Sequence, residues 1–450
     1  MSIEADHPVS DGPGCPFGHG ADTQTLLTED ALKNPFPIYQ ALREERPVAY
    51  MEDQGFWLIT RYDDCDFVLS HPELFSSREA VSSTNAYRNS PEAMAILKRS
   101  KAQPRARTLI MADPPEHGRY RTVLQRALSP ARTIRELTPR MVAIIDELID
   151  GFCERGACEF VREFAYPLPM RVVAAILDVP DGEIDTLKTW SDDFISVQAG
   201  NIPPDRAVSS ARHTLEFEEF VLAKLQDRRD HPKPDFMGRL VEVIPGEAPL
   251  TAPELVNICL QVLVGGNETT TNFLGSALYR LLTTPGLIDG LCQDPSRIPD
   301  LVEEILRADS PLQGLFRIAV EDHDFNGTIV PKGAKLMMCF GSANRDEKYY
   351  GDGEFDPVRD NRETMHLAFG QGIHACAGQG FARREAVLAL TRLLERLPDI
   401  SLDETQPAAR QNLFGIRGMK ELHIRFAPSP VQSGLPAAPA QSAAPGVRGA

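Results

Sequence analysis

Residues 369–378, FGQGIHACAG, constrain this 450-residue chain more than any other segment. They present a single cysteine, Cys376, in a glycine-rich loop at the start of an amphipathic run that continues to Leu397. Amides at a helix N-terminus stabilise anions, so we expect the loop to lower the thiol pKa and to hold Cys376 as a thiolate. Glycines on both sides of the thiol indicate that a flat, bulky group approaches the backbone closely.

Bulk properties indicate a globular enzyme. The chain has 42% hydrophobic and 25% charged residues, which is ordinary for a folded protein. Its formal charge of −17 argues against a nucleic-acid partner or an anionic membrane surface. We find neither a secretory signal nor a membrane span in the sequence. Eight cysteines without a framework spacing favour a reducing compartment, with the cytoplasm as the default.

The order of the elements predicts a mainly helical α+β chain. We expect flexible tails at 1–22 and 428–450, the second of which could be a linker, around one domain at 23–427. Strand patterns lie at 47–51, 56–60, 316–329 and 335–340. Helical spacing of apolar residues marks 115–128, 139–153, 184–197, 207–229, 252–282, 299–308 and 377–397. The polar run 341–369 is long for a connection, which is typical of functional loops.

The longest predicted helix has an unusual centre, GGNETTT at 265–271. Glycines and consecutive threonines weaken a helix, so their presence here suggests a functional opening beside a ligand. Glu268 next to Thr269 pairs an acid with an alcohol, which suits proton relay to dioxygen. The alternative is a solvated Glu268 on a weakened helix.

Both segments resemble signatures of the cytochrome P-450 family. FGQGIHACAG is similar to the haem-binding motif at every defined position, including Gly370, although Gly380-Phe381 replaces the usual small residue and leucine. The resemblance implies that Cys376 ligates the iron of haem b, that Phe369 lies beside the sulfur and that His374 contacts a propionate. Gly265, Glu268 and Thr269 fall on the central-helix motif, in which the threonine contacts dioxygen and the acid connects it to solvent protons.

Further roles follow from the same resemblance. Propionate contacts are assigned to His117, Arg121 and Arg317, and a structural charge network to Glu304, Arg307 and Arg359. The stretch 312–316, the loop 78–107 and residues 413–416 would line the substrate pocket. The individual pocket residues that we predict are Ile258, Val262, Leu312, Gln313, Leu315 and Phe316.

The resemblance spans roughly residues 34–426 and implies a helical prism with a smaller β-rich region around a buried haem. The implied reaction inserts one oxygen atom from dioxygen into a medium-sized, mainly apolar organic substrate. The chain shows no dinucleotide or iron–sulfur motif, so a ferredoxin or flavodoxin with its reductase would supply electrons to a monomeric enzyme.

A basic dock for that partner is one interpretation of four arginines, and scattered solvated side chains are the other. The four are Arg119, Arg126, Arg383 and Arg384. Two alternative functions also stay open. One is a peroxygenase or isomerase, and the other is a haem-based ligand sensor. The intact Glu268–Thr269 pair favours the monooxygenase over both.

Overall fold

The computed structural model describes residues 23–80, 87, 90–102, 107–128, 130–199, 203–242, 246, 248–360 and 364–432. Of the two predicted tails, only 428–432 lies within this part, as irregular backbone. Of the predicted loop 78–107, residues 81–86, 88–89 and 103–106 lie outside it.

Most of the described residues are helical. They are α1 (Glu29–Lys33), α2 (Phe36–Glu45), α3 (Tyr62–Ser70), α4 (Pro91–Leu97), α5 (Glu116–Leu128), α6 (Pro130–Asp150), α7 (Pro167–Ile176), α8 (Ile184–Ala199), α9 (Pro204–Asp230), α10 (Phe236–Val241), α11 (Ala252–Thr283), α12 (Leu287–Gln293), α13 (Ile298–Ala308), α14 (Phe340–Ala343), α15 (Glu347–Tyr350) and α16 (Gln379–Arg396). All seven predicted helices are present. The unpredicted helices are mostly short, because a short apolar pattern is ambiguous until tertiary contacts bury it.

The start of α6 corrects the sequence prediction. We expected a helix from Pro139, which suits a first turn, whereas α6 begins at Pro130 and contains Pro139. An internal proline removes one backbone hydrogen bond. Here the apolar spacing of Ile134, Leu137 and Met141 continues across it, and α6 packs against α16. Burial of that face therefore maintains the helix through the proline.

Strands form a smaller region. They are β1 (Val48–Met51), β2 (Phe56–Ile59), β3 (Phe75–Ser76), β4 (Ala157–Glu159), β5 (Gly314–Ala319), β6 (His323–Phe325), β7 (Thr328–Val330), β8 (Lys335–Cys339), β9 (Ser401–Leu402), β10 (Ala409–Arg410), β11 (Met419–Glu421) and β12 (His423–Arg425). The main sheet has the order β1-β2-β8-β5-β3, with β2 and β8 parallel and the other neighbours antiparallel. The single run expected at 316–329 is divided, because Asn326 and Gly327 adopt positive φ angles of 52° and 99° in a tight hairpin turn.

Helix α11 runs through the interior for 32 residues. Its first turn is fixed by a capping box, in which Glu254 accepts hydrogen bonds from the Thr251 amide at 2.6 Å and hydroxyl at 2.9 Å. It packs against α7, α8, α9, α13 and α16. The predicted fold class, mainly helical with small sheets, is confirmed. This arrangement places the centre of α11 and the loop before α16 in one core.

Within the described ranges, the structure contains no helix that combines the length and the apolar character needed to cross a membrane.

Candidate active site

The cysteine loop is held in shape by its own backbone. The Cys376 amide donates to the Phe369 carbonyl at 2.8 Å, which closes the loop before α16. Gly370 and Gly372 have φ angles of +64° and +68°, in the left-handed region that favours glycine. A β-carbon at Gly372 would also lie 2.5 Å from the Leu69 carbonyl oxygen. The loop therefore cannot accept side chains at these turns, and it leaves Cys376 exposed.

The expectation of a lowered thiol pKa is wrong for the protein without its cofactor. The Gly378 and Gln379 amides and the Arg121 and Arg383 guanidinium groups do lower the pKa of Cys376. The surrounding protein atoms desolvate the thiolate and raise the pKa by more, so the net shift is upward. A metal cation on the sulfur would supply the missing stabilisation, because a coordinated thiol is deprotonated.

The centre of α11 borders open space. Gly265 is exposed although Leu263 and Asn267 on either side of it are buried, and a β-carbon at Gly265 would meet no atom within 4 Å. Gly266 has the opposite role, because a β-carbon there would lie 2.8 Å from Val173 Cγ2 on α7. One glycine therefore opens a cleft, and the other permits close helix packing.

The acid–alcohol pair follows directly on the same helix. Thr269 Oγ1 donates to the Gly265 carbonyl at 2.9 Å, one turn earlier and beside the open face. Glu268 is half-buried, and burial, followed by the charge of Asp192, raises its pKa. The alternative of a freely solvated Glu268 does not fit this environment. Because its pKa is raised, this carboxyl stays protonated at a higher pH than an ordinary carboxyl, and a protonated carboxyl can act as a general acid.

Four basic side chains meet beside the cysteine loop. The His117 and His374 rings lie 4.2 Å apart, and Arg121 Nη1 donates to the Ala375 carbonyl at 2.6 Å. His374 Nε2 also contacts Ser77 Oγ at 2.9 Å. Burial and the neighbouring cations lower the pKa of His374 to about 3 and also lower the pKa of His117. Sequence-distant donors are thus concentrated at one position.

The guanidinium of Arg317 is the most isolated member of this group. It is 2% exposed, and burial lowers its pKa to about 10. In the described part of the chain it donates only to the Phe316 carbonyl, at 2.8 Å. Asp113 is the nearby carboxylate, but it is engaged by Ser76 Oγ at 2.6 Å and the Ser77 amide at 2.7 Å. A buried cation without a bonded anion is costly unless a ligand supplies the charge.

The donor set fits a haem. The Cys376 thiol is accessible, and the cations beside it match the charge of two propionates. Fold and site together define a helical protein built to hold a planar dianionic cofactor through a cysteine.

Two predicted pocket residues do not fit that role. Ile258 is fully buried, so it presents no surface to a cleft. Gln313 is 3% exposed, donates to the Ser310 carbonyl at 2.6 Å and lies against Gly341, where a β-carbon would come within 2.0 Å of its amide oxygen. Val262, Leu312 and Leu315 keep partly exposed surface, as does Phe316, although its ring packs on Phe56 at 5.1 Å.

The predicted structural network is buried as a unit. Arg307 makes a two-pronged ion pair with Glu304, at 2.8 and 2.7 Å, and both side chains are at most 1% exposed. Arg359 Nε lies 3.5 Å from the same carboxylate. Arg307 also donates to the carbonyls of Asn344, Gly353 and Glu354, at 2.7, 3.2 and 2.7 Å. The long polar segment 341–369 is therefore anchored through Arg307.

Three of the four arginines considered as a basic dock make bonds within the protein. Arg119 pairs with Glu254 at 2.8 Å, Arg126 donates to the Glu242 carbonyl at 2.7 Å, and Arg383 pairs with Glu303 at 2.6 Å. These arginines are used for internal bonds between sequence-distant elements, which no local pattern reveals. Arg384 remains exposed, 3.4 Å from Thr138 Oγ1.

Two groups near the site escaped the sequence analysis, the half-buried Glu303 and the buried His366. Glu303 joins Arg383 to His366, and hydrogen bonds from both side chains, with the charge of Arg383, lower the pKa of Glu303 to about 2 against the effect of burial. Arg383 lies 4.4 Å from the centre of the Phe369 ring. Glu304, the next residue after Glu303, was predicted to be structural because it belongs to a motif, whereas Glu303 carries no sequence signal.

The chain is similar to known proteins in both sequence and structure. The family model for Cytochrome P-450 matches residues 209–419. The steroid C26-monooxygenase of Mycobacterium tuberculosis is 32% identical over 396 residues, covering 87% of this chain and 94% of that one. The 6-deoxyerythronolide B hydroxylase of Saccharopolyspora erythraea is 32% identical over 402 residues, covering 87% and 96%. The structure of CYP109Q5 from Chondromyces apiculatus matches with a TM-score of 0.78 and 32% identity over 91% and 98% of the two chains.

The chain belongs to the cytochrome P-450 family. It is a haem-thiolate monooxygenase that uses haem b, as the sequence predicted. Its reaction requires a small-molecule substrate and a redox partner.

Proposed function

We propose that Cys376 is the iron ligand and that the enzyme oxygenates a medium-sized, mainly apolar substrate in the cleft beside Gly265. The observation that carries this proposal is the position of an accessible thiol beside four basic groups. The relatives named for a steroid and for 6-deoxyerythronolide B support a substrate of that size.

The chain's own residues would hold the cofactor at both its metal and its carboxylates. Cys376 would bind the iron, with Phe369 and the Gly370 turn shaping the loop, and His117, Arg121, Arg317 and His374 would bind the propionates. When bound, the haem supplies the activation of dioxygen. The exposed face of Gly265 leaves room for it, because no side chain occupies that position.

Proton supply is the task of α11. Glu268 would hold a proton at its carboxyl oxygen, which the raised pKa favours. Thr269 would orient it, since its hydroxyl can leave the Gly265 carbonyl and hydrogen-bond toward the cleft. Val262, Leu312, Leu315 and Phe316 would present apolar surface to the substrate and limit access of water.

We further propose that a ferredoxin or flavodoxin with its reductase supplies electrons to a monomer in the cytoplasm. The described cysteines are all free, which fits a reducing compartment. Of the four arginines considered as a dock, Arg384 is the one left for an external partner.

The ligand assignment is tested by replacing Cys376 with histidine. We expect Cys376→His to lose the thiolate-type spectrum of the reduced carbon monoxide complex. Cys292→Ser, which alters an exposed thiol on α12, should keep it. A thiolate spectrum in Cys376→His would overturn the assignment. A spectral binding screen with steroid, terpenoid, fatty-acid and aromatic panels tests the substrate class, and the absence of any hit would contradict it.

A further inference from the structure

The close packing of α11 on α7 brings Tyr166 beside the acid–alcohol pair. Tyr166 directly precedes α7, and Gly266 on α11 lies against Val173 on α7. Tyr166 is half-buried and close enough to Asn267 and Glu268 for both to influence its hydroxyl. A tyrosine hydroxyl can donate and accept a hydrogen bond at the same time.

The other side of Tyr166 faces α8. Its hydroxyl donates to Asp192 Oδ1 at 2.9 Å, and Asp192 is half-buried. Lys188, one turn earlier on α8, is exposed and places its ammonium 4.9 Å from the centre of the Tyr166 ring. Asp192 therefore stands between Tyr166 and the charged surface of α8.

Two elements packed against this part of α11 carry the neighbouring groups. Helix α8 carries Asp192, whose charge acts on Glu268, and α7 carries Tyr166 at its start and Val173, which lies against Gly266. Burial and the charge of Asp192 both raise the pKa of Glu268. Within the part of the chain that the structure describes, no cation forms an ion pair with Glu268. The surroundings thus favour a protonated acid.

We propose that Tyr166 and Asp192 form the outer part of a proton path that ends at Glu268. The inference rests on the proposed role of Glu268. Asp192 takes a proton from water and passes it to the Tyr166 oxygen, while the proton that Tyr166 held passes to the Glu268 carboxylate. One O–H bond breaks and one forms at Tyr166, and Asp192 returns to its ionised form. Both residues are positioning residues, because they act through Glu268.

Infrared titration of the haem-loaded protein at rest tests the path without turnover. The carboxyl band that disappears in Glu268→Gln identifies the Glu268 acid. Asp192→Asn removes the negative charge that raises its pKa, so we expect the titration midpoint to shift to lower pH. Tyr166→Phe retains that charge and should leave the midpoint nearly unchanged. An unshifted midpoint in Asp192→Asn would overturn the coupling.

Turnover measurements test the transfer itself. We expect Tyr166→Phe to lower the rate of product formation about 10-fold and to increase the solvent deuterium isotope effect, because relay through a positioned group is lost. Substrate affinity, read from the spectral shift, should not change. Tyr349→Phe is the matched control. It removes a hydroxyl on α15, far along the chain from Tyr166, that donates to Asp63 on α3.

A wild-type rate and isotope effect in Tyr166→Phe would disprove the path. This result is independent of the assignment of Cys376 as the iron ligand, because that assignment is tested only by the carbon monoxide spectrum of Cys376→His. If Tyr166→Phe does not fold, the Asp192→Asn titration and its solvent isotope effect decide the same question. An Asp192→Asn protein with both quantities unchanged would overturn the proposal.

Discussion

At the scale of single residues, the site is defined by ionisable side chains that form no ion pair in the described structure. Arg317 is buried with its charge unbalanced by any bonded carboxylate in the described structure, and Glu268 is half-buried near another acid, Asp192. Such arrangements lower stability in exchange for function. They can be tested by variants that separate cofactor binding from folding.

Arg317→Met separates those two properties. The pKa of about 10 implies that the buried charge costs about 3 kcal/mol in the cofactor-free protein. We expect the variant to raise the unfolding free energy of the apoprotein by about 1–3 kcal/mol and to release haem faster. Urea unfolding and haem transfer to a second protein measure the two effects. Arg229→Met, at an exposed position on α9, should change neither. Unchanged or slower haem release in Arg317→Met would contradict the propionate role.

Thr269→Ala tests the hydroxyl of the acid–alcohol pair. Loss of a positioned proton-transfer group should lower product formation about 100-fold while electron consumption continues and hydrogen peroxide is released. Thr269→Ser keeps the hydroxyl and should recover most of the product. Product, NADH and peroxide are measured together with a reconstituted redox partner. Full product yield in the alanine variant would remove Thr269 from the mechanism.

At the scale of elements, α11 uses neighbouring glycines for opposite purposes. A methyl group at Gly266 would meet Val173 on α7, whereas one at Gly265 would enter the cleft. Helix propensity alone favours alanine at both positions by about 1 kcal/mol. The contrast between the two variants is therefore set by tertiary packing.

Gly266→Ala should lower the unfolding free energy by about 1–3 kcal/mol through overpacking, and Val173→Ala in the same chain should restore part of it. Gly265→Ala should leave the apoprotein as stable or more stable and should weaken haem binding. Chemical unfolding and haem titration distinguish these results. Equal effects of the two alanines on both quantities would show that the cleft does not border Gly265.

The network at α13 controls the segment that follows it. Arg307 binds Glu304 and three carbonyls within 341–369, and a lysine cannot reproduce its planar set of donors. Arg307→Lys should cost about 3–5 kcal/mol, as expected when one partner of a buried ion pair is disturbed. We expect faster proteolysis within 344–359. Unchanged stability and cleavage would mean that the segment is held by other contacts.

At the scale of the whole molecule, stability depends on pH through two carboxyl groups whose pKa values are shifted in opposite directions. Arg383 and His366 keep the pKa of Glu303 at about 2, so this contribution is present above the ordinary carboxyl pKa and is lost as pH falls toward 2. Glu385 on α16 is 3% exposed, and burial raises its pKa to about 8. Its contribution is present below the ordinary carboxyl pKa and is lost as pH rises through about 8.

Glu385→Gln isolates the second effect. The wild-type unfolding free energy should fall between about pH 5 and pH 8 in part because Glu385 must ionise in a buried site. The amide cannot ionise, so the variant should show a shallower slope in this range. Unfolding in urea at several pH values measures it. Parallel slopes for the two proteins would show that Glu385 does not titrate there.

Local sequence patterns determined the central chemistry. The loop around Cys376 and the GGNETTT turn of α11 are continuous segments, so their residue types and spacing specify backbone geometry and ligand without reference to the rest of the fold. The long helices were predictable for the same reason, because their apolar faces repeat at helical spacing. The family, the cofactor and the class of reaction followed from these segments.

Only the tertiary structure decided which side chains are free to act. Packing of α11 against α7 and α8 placed Tyr166 and Asp192 near Glu268. Tertiary contacts also buried Ile258 and held Gln313 in the core through a hydrogen bond to the Ser310 carbonyl. It also enlisted most of the arginines expected at a docking surface into internal ion pairs. Contacts between residues far apart in the chain depend on how whole elements fit together, and no local pattern specifies that fit.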